Sequence, residues 1–246
     1  MPDLLHLSLA ACMFLGAALY SSVGHAGASA YIAFMALFSV PPSVMRPTAL
    51  TLNILVATFA SYRYARAGYF RWRVVWPFLL GSVPFAFIGG GIQLPSEYYR
   101  AIVGIVLILS GLRMFWAAHI YAAREVHDPP IWLSTLLGIG IGFLSGLTGT
   151  GGGIFLSPVI IFLAWSDLRT TSGIAAVFIF GNSIAGLLGN LAMVRSLPSE
   201  LPMYIAAVML GALVGTAFGT KFSVIYIRRA LGVVLIIAGL KLIGVY

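Results

Sequence analysis

Charge is scarce in this chain. Only 8% of its 246 residues are charged, against roughly 25% in an ordinary soluble domain. Acids are the rarest: 6 Asp and Glu stand against 14 Lys and Arg. No Asp, Glu, Lys or Arg occurs in 4–45, 129–166 or 170–194. With 61% hydrophobic residues and a mean hydropathy of +1.03, a soluble core is excluded, because that much apolar side chain would leave large patches facing water. Cysteine occurs once, at Cys12, which rules out an intrachain disulfide, a thiolate metal cluster and a redox pair. Uncharged apolar runs of 18 residues or more are the mark of membrane spans. The chain reads as an all-α polytopic membrane protein in a lipid bilayer.

The basic excess does not point to nucleic acid. The Lys and Arg residues sit in short loops between apolar runs, where they set topology, and none forms a run interleaved with aromatics. Catalysis finds no footing either. His6, His25, His119 and His127 have no metal-ligand spacing, and all six acids (Asp3, Glu97, Glu125, Asp128, Asp167, Glu200) lie in loops or at span ends. The expectation is a protein that is not an enzyme and needs no metal or cofactor. Leu9-Ala10-Ala11-Cys12 looks like a lipoprotein cleavage box, but no basic segment precedes it, so the first run reads as a retained span.

What is present is a duplication. Tyr98-Tyr99-Arg100-Ala101-Ile102-Val103-Gly104 matches Tyr226-Ile227-Arg228-Arg229-Ala230-Leu231-Gly232. At nearly the same offset Gly111-Leu112-Arg113 meets Gly239-Leu240-Lys241, Asn53 meets Asn182, and Gly81 meets Gly211. The two repeats are 1–122 and 123–246. Each holds five apolar segments: 4–21, 28–39, 47–62, 74–92 and 98–117, then 131–146, 153–165, 171–193, 202–220 and 226–245. All should be helical, because lipid offers no partner to an open strand edge.

The second segment of each half is too short to cross about 30 Å of hydrocarbon comfortably. It either forms a re-entrant hairpin with the segment before it or crosses tilted, and in both cases the pair returns the chain to its starting side. Crossings per half are then odd, so the second repeat is inverted relative to the first. Arg63, Arg66, Arg71, Arg73, Arg113, Arg124, Arg169, Lys221, Arg228 and Arg229 fall on one face, and Arg46, Arg100, Arg195 and Lys241 on the other. The positive-inside bias puts the first face in the cytoplasm and both termini outside, in the periplasm. Inverted repeats with broken helices are a recurring plan of secondary transporters.

Two Gly-rich breaks carry the candidate site. One is Ser21-Ser22-Val23-Gly24-His25-Ala26-Gly27-Ala28-Ser29 and the other Ser145-Gly146-Leu147-Thr148-Gly149-Thr150-Gly151-Gly152-Gly153. Each ends one helix and opens another, leaving backbone N–H groups that favour anions. Neither is a nucleotide loop, since the Lys-Ser/Thr of a P-loop is missing. The candidate substrate-binding residues are Ser22, Gly24, His25, Gly27, Ser29, Arg46, Asn53, Thr148, Gly149, Thr150, Gly151, Gly152 and Asn182. For Asn53 and Asn182 the plain alternative is interhelical hydrogen bonding, and for Arg46 a topology-setting loop position. Gly211, Gly215 and Gly219, with Gly104/Gly111 and Gly232/Gly239, read as close helix packing. No intramembrane carboxylate is available to relay protons, which favours export of an anion down the membrane potential.

LSGLTGTGGGIFLSPVIIF at 144–162 and the weaker SSVGHAGASAYIAF at 21–34 resemble the repeat signature of the sulfite exporter TauE/SafE family, also called the toluene sulfonate uptake permeases. The resemblance covers nearly the whole chain. It implies transport of a small sulfur-containing anion (sulfite, sulfoacetate or another organosulfonate) across the bacterial inner membrane. It carries over to Gly24, His25 and Gly27 in the first copy and to Thr148, Gly149, Gly151 and Gly152 in the second. Ala26, Ala28 and His25 depart from the glycines of the pattern. The expected function is a secondary transporter working by alternating access, with a passive anion channel or a non-transporting scaffold or accessory subunit as alternatives. A homodimer is compatible with the sequence.

Overall fold

Among the described residues, ten α-helices form where the ten apolar segments stand. The structure, a computed structural model, describes residues 4–22, 27–115, 125–189, 191, 197–218 and 224–244. In order the helices are α1 (Leu4–Ser22), α2 (Ala28–Leu37), α3 (Pro42–Arg66), α4 (Trp72–Gly91), α5 (Ser96–Phe115), α6 (Ile131–Thr148), α7 (Gly153–Phe162), α8 (Leu168–Gly189), α9 (Leu201–Phe218) and α10 (Val224–Ile243). No strand occurs among the described residues. Helices α1, α3, α4, α5, α6 and α8 are each long and apolar enough to cross a membrane. Together they make a multi-pass membrane protein. The largest departure from the sequence reading is α3, which begins at Pro42 and not near 47, so that Arg46 and Pro47 lie inside the helix.

Small residues set how the helices meet. A Cβ on Gly138, Gly142 or Gly146 would run into the carbonyls of Phe78, Ser82 and Ala86 respectively, so α6 lies backbone to backbone along α4 with both chains rising in the same sense. Gly211 and Gly215 ride in the same way on the carbonyls of Phe14 and Ala18, which lays α9 parallel to α1. The seam between α5 and α10 is reciprocal and antiparallel: Gly104 and Gly239 each face the other's carbonyl, as do Gly111 and Gly232. These are the packing roles expected for those glycines; Gly219 lies outside the described residues. Leu50 beside Gly186 and Tyr64 beside Gly173 make α3 and α8 antiparallel as well. In lipid, close approach of this kind replaces the hydrophobic drive that joins helices in water.

The short helices share one backbone design. Gly27 (φ 58°) and Gly152 (φ 78°) are both left-handed N-caps. The Gly27 carbonyl accepts from the N–H groups of Ala30 and Tyr31, and that of Gly152 from Phe155 and Leu156. At the other ends Ser39 (φ 59°) and Ala164 (φ 54°) leave the helix in the same left-handed turn. Val40 then donates back to Met35 O and Trp165 to Ile160 O, both at 2.9 Å. The chain does return to its starting side after α7, because His127 N, just before α6, donates to Ala164 O at 3.1 Å.

The two ends of the bundle differ in charge. One carries exposed Arg63, Arg66 and Arg169, with the Arg71–Asp128 ion pair at 2.5 Å. At the other, His6 Nδ1 meets Tyr204 Oη at 2.7 Å, while Lys241 Nζ donates to Leu37 O and to Ser39 Oγ. The cores follow the seams. One apolar cluster joins α1, α2, α3, α5, α8, α9 and α10 around Met13, Met45 and Leu107; another joins α4, α6, α7 and α8 around Phe78, Leu156 and Phe178.

Candidate functional site

The second break is fully described. Thr148 ends α6, and Gly149 (φ 83°) caps it, its N–H donating to Ser145 O at 2.9 Å. Gly151 (φ 74°) and Gly152 (φ 78°) are also left-handed, so three turns of a kind that L-residues rarely adopt fall within four positions. The sequence must therefore be glycine there. Among the described residues, the N–H groups of Gly151, Gly152, Gly153 and Ile154 donate to no protein acceptor. They are the orphan donors of the α7 N-terminus.

Buried side chains with spare polar atoms surround these donors. Asn53 on α3 reaches across from the first half and donates through Nδ2 to Gly149 O at 3.4 Å, a long and weak bond. Its Oδ1 has no partner among the described residues, nor has Ser183 Oγ or Ser145 Oγ, and all three residues are 0% exposed. A Cβ on Gly151 would sit 3.1 Å from Asn53 Nδ2 and 3.2 Å from Ser183 Oγ, which places the three side by side. Unsatisfied polar atoms at this depth are costly unless something else completes them. Thr148 Oγ1 is used locally, bonding Leu144 O at 2.7 Å and lying 3.0 Å from Thr150 Oγ1, and Tyr99 Oη donates to Thr148 O at 3.0 Å.

Arg46 is buried and held by carbonyls. Its Nε donates to Gly146 O, its Nη1 to Ile92 O at 2.9 Å, and its Nη2 to Gly89 O, Gly90 O and Gly146 O at 2.6 Å each. It gathers the carboxyl ends of α4 and α6, where helix dipoles leave partial negative charge. This is neither a loop position nor an open cavity cation, because entering α3 one turn early carries the side chain inside the bundle. Its stem backs Gly149, so it buttresses the second break.

The first break is described only at its flanks. Gly24 and His25 lie outside the described residues, and Ser22 is described only as the last residue of α1. Gly27 caps α2, and Ser29 in its first turn is paired with Tyr20 Oη at 2.6 Å. Tyr31 Oη, buried one turn beyond Gly27, has no partner among the described residues. Asn182 on α8 is wholly buried, with neither amide atom partnered among them. The structure thus brings Asn53, Thr148, Gly149, Thr150, Gly151 and Gly152 together, with Arg46 behind them. It adds Ser145, Ser183, Tyr31 and Arg113, which the sequence reading did not include among the candidates. Ser183 had a usable signal, as the neighbour of Asn182 in an apolar helix. Arg113, assigned to a loop face, is half-buried and donates through Nη1 to Ile154 O in the first turn of α7.

The sequence model of the sulfite exporter TauE/SafE family matches residues 9–242. The chain belongs to that family. As a TauE/SafE protein it is similar, at 37% identity over 96% of its own length and 98% of the relative's, to the "Probable membrane transporter protein y4hK" of Sinorhizobium fredii. It is 26% identical to the "Probable membrane transporter protein YjnA" of Bacillus subtilis, covering 94% of this chain and 96% of that one. Against the "Probable membrane transporter protein MJ0441" of Methanocaldococcus jannaschii the identity is 25%, over 82% and 80% of the two chains. No solved structure matches the chain significantly. The fold and the family agree on a membrane transporter of the TauE/SafE type.

Proposed function

We propose that this protein is a secondary transporter that exports a small sulfur-containing oxyanion (sulfite, sulfoacetate or another organosulfonate) across the bacterial inner membrane by alternating access. The observation that carries the reading is the second break. Four adjacent N–H donors at the start of α7 lie near the buried Asn53 Oδ1, Ser145 Oγ and Ser183 Oγ, none of which has a partner among the described residues. A tetrahedral sulfonate face suits converging N–H and O–H donors, and the Asn carboxamides can orient the remainder of the molecule. Left-handed turns at mid-protein depth are tolerated in a membrane where they line a substrate site.

The repeats 1–122 and 123–246 are read as inverted. The antiparallel pairing of α3 with α8 and of α5 with α10 supports this, as does the exchange of α4 against α6 with α9 against α1. Both termini are assigned to the periplasm from the Arg-rich opposite end. An anion leaving a cell with a negative interior gains about 2.3 kcal/mol per charge per 100 mV. Export therefore needs no intramembrane carboxylate.

The test is thermal stability of the purified protein with sulfite, sulfoacetate, thiosulfate, sulfate, taurine and acetate, followed by counterflow in proteoliposomes. A true ligand at a hundred times its Kd should stabilise by about 2.7 kcal/mol. A shift with a sulfite or sulfonate but not with acetate, together with saturable counterflow, is expected. Flux without saturation or counterflow would mean a channel, and no shift with any sulfur anion would overturn the substrate class.

A further inference from the structure

Gly153 is the first helical residue of α7, so backbone conformation does not demand a glycine there as it does at Gly149, Gly151 and Gly152. Space demands it. A Cβ on Gly153 would run into Ile179 Cδ1 and stand 2.7 Å from its Cγ1, and one on Gly151 would stand 2.8 Å from its Cγ2. The Ile179 side chain, buried on α8, therefore lies across the start of α7 against the backbone of both glycines. On the other side, Phe178 Cε1 and Ile141 Cγ2 come 2.9 and 3.1 Å from a Cβ on Gly152. The N–H groups that begin α7 thus have hydrocarbon against them on two sides.

An apolar cover over unpaired donors is costly, and it is the reverse of what an anion needs to meet. The cover also comes from a separate element. At Gly27 the close contact is made within one helix, by Tyr31 Oη and Cζ at 2.6 and 2.8 Å from a Cβ there. At Gly151 and Gly153 it is made by α8, which Gly173 and Gly189 seat on the carbonyls of Tyr69, in the turn after α3, and Phe87 of α4. Isoleucine is β-branched and nearly fixed at χ1 on a helix, so Cγ1 and Cγ2 of Ile179 move only with α8 itself. Only Cδ1 can swing alone.

We propose that Ile179 is the gate of the second break: it closes the donors of α7, and transport opens them by carrying α8 away from α7. Gly153 is the notch in which the gate seats. This rests on the anion-transport reading above and adds to it the residue that controls entry. Ser183 stands one turn further along the same face of α8, its unpartnered Oγ 3.2 Å from a Cβ on Gly151. The movement that withdraws Ile179 therefore also shifts a hydroxyl that meets the anion.

Net sulfite efflux and sulfite counterflow, measured separately in proteoliposomes, test this with wild type, Ile179→Ala, Ile179→Val, Gly153→Ala and the Gly153→Ala/Ile179→Ala pair. In Ile179→Ala, net efflux should rise about tenfold relative to counterflow, because opening no longer has to unseat a buried side chain. Ile179→Val keeps the branch and loses only Cδ1, so the same ratio should rise by a smaller factor. Gly153→Ala forces its Cβ onto the seated Ile179 and should lower Tm. In the pair, with that side chain gone, the added Cβ should cost nothing further. An unchanged ratio of efflux to counterflow in Ile179→Ala, whatever its Tm, means packing alone and overturns the proposal while the transport reading stands. If that variant does not fold, an unchanged ratio in Ile179→Val overturns it equally. A Gly153→Ala loss of Tm that persists in full in the pair would overturn the seating of the gate. No sulfite flux in the wild type brings down the transport reading and the gate with it.

Discussion

Helices α2 and α7 begin on matching left-handed glycines and end on matching left-handed turns, but their surroundings differ. Helix α2 packs against α1, α3 and α10, and Ala28, Ser29, Ala30, Ala33 and Ala36 are all buried. Helix α7 packs mainly on α8, carries Ile154, Phe155, Leu156, Ile160 and Phe162, and leaves Phe162 62% exposed. The backbone is the same, so side-chain size makes the difference. An alanine-rich helix lets several neighbours approach closely, whereas a helix of Ile, Leu and Phe fills its own surroundings and keeps a side for lipid. Two helices with the same caps thus differ in place: α2 lies in the core and α7 keeps a margin.

The sharpest way to break this comparison is to fill each break in turn. Gly152→Leu or Thr150→Leu should abolish transport while the protein still inserts, since the first forces a side chain onto a φ of 78° and both place bulk among the free donors. Gly27→Leu, at φ 58° and against Tyr31, should lose transport too. Flux measured in matched proteoliposomes decides it. Normal flux in Gly27→Leu alone would confine binding to the second break, and normal flux in all three would remove the site.

A smaller effect separates seams from open faces. A Cβ on Gly142 would meet the Ser82 backbone, whereas one on Gly140 meets nothing within 4 Å. Gly142→Ala should therefore destabilise by about 1–3 kcal/mol, as overpacking does. Gly140→Ala, two residues away on the same helix, should stay within about 0.5 kcal/mol of wild type. Unfolding in detergent reads both, and Gly215→Ala on the α1–α9 seam should follow Gly142→Ala. Equal effects at Gly140 and Gly142 would mean that backbone contact does not set the seam.

The smallest contrast is in how the long central helices start. Helix α8 is capped by Asp167, whose Oδ1 accepts from Arg169 N at 2.9 Å and Thr170 N at 3.1 Å. Helix α3 starts on Pro41 and Pro42 with no side-chain cap. Partial burial pushes the Asp167 carboxyl upward, but the bonds from Thr170 and Arg169 outweigh it and hold the pKa below its ordinary value. The folded state thus favours the carboxylate. Its stabilisation is complete above the usual Asp range and is lost as pH falls through the lowered folded value. Asp167→Ala should cost about 1 kcal/mol at neutral pH. Asp167→Asn should keep most of the cap and lessen the loss of stability on acidification, seen as a flatter dependence of Tm on pH. An unchanged acid limb in Asp167→Asn would place the pH dependence elsewhere.

Much of the fold was legible beforehand because the solvent is lipid. With no water to satisfy the backbone, every apolar run had to become a helix, and the only question was where each would stop. Pro130 before α6, Gly149 and Gly152 answered it directly. Glycines spaced along one helix face foretold close packing, and the structure supplies the partners, α5 with α10 and α9 with α1. The start of α3 was misjudged because Pro47 looks like a first-turn proline, while Pro42 had already taken that role.

The sequence by itself determined the ten described helices, the glycine breaks between α1 and α2 and between α6 and α7, and the confinement of acids to loops and span ends, since these follow from local backbone chemistry and composition. Only the tertiary structure decided the fate of the cations. Arg46 finds carbonyls of α4 and α6, and Arg113 finds that of Ile154 on α7, left without its helical donor by Pro158, from positions 41 to 100 residues away along the chain. Asn53 of the first half likewise reaches Gly149 of the second. A guanidinium or amide in a membrane protein must be met by whatever polar atoms the packing brings to it, and chain order does not encode which those are.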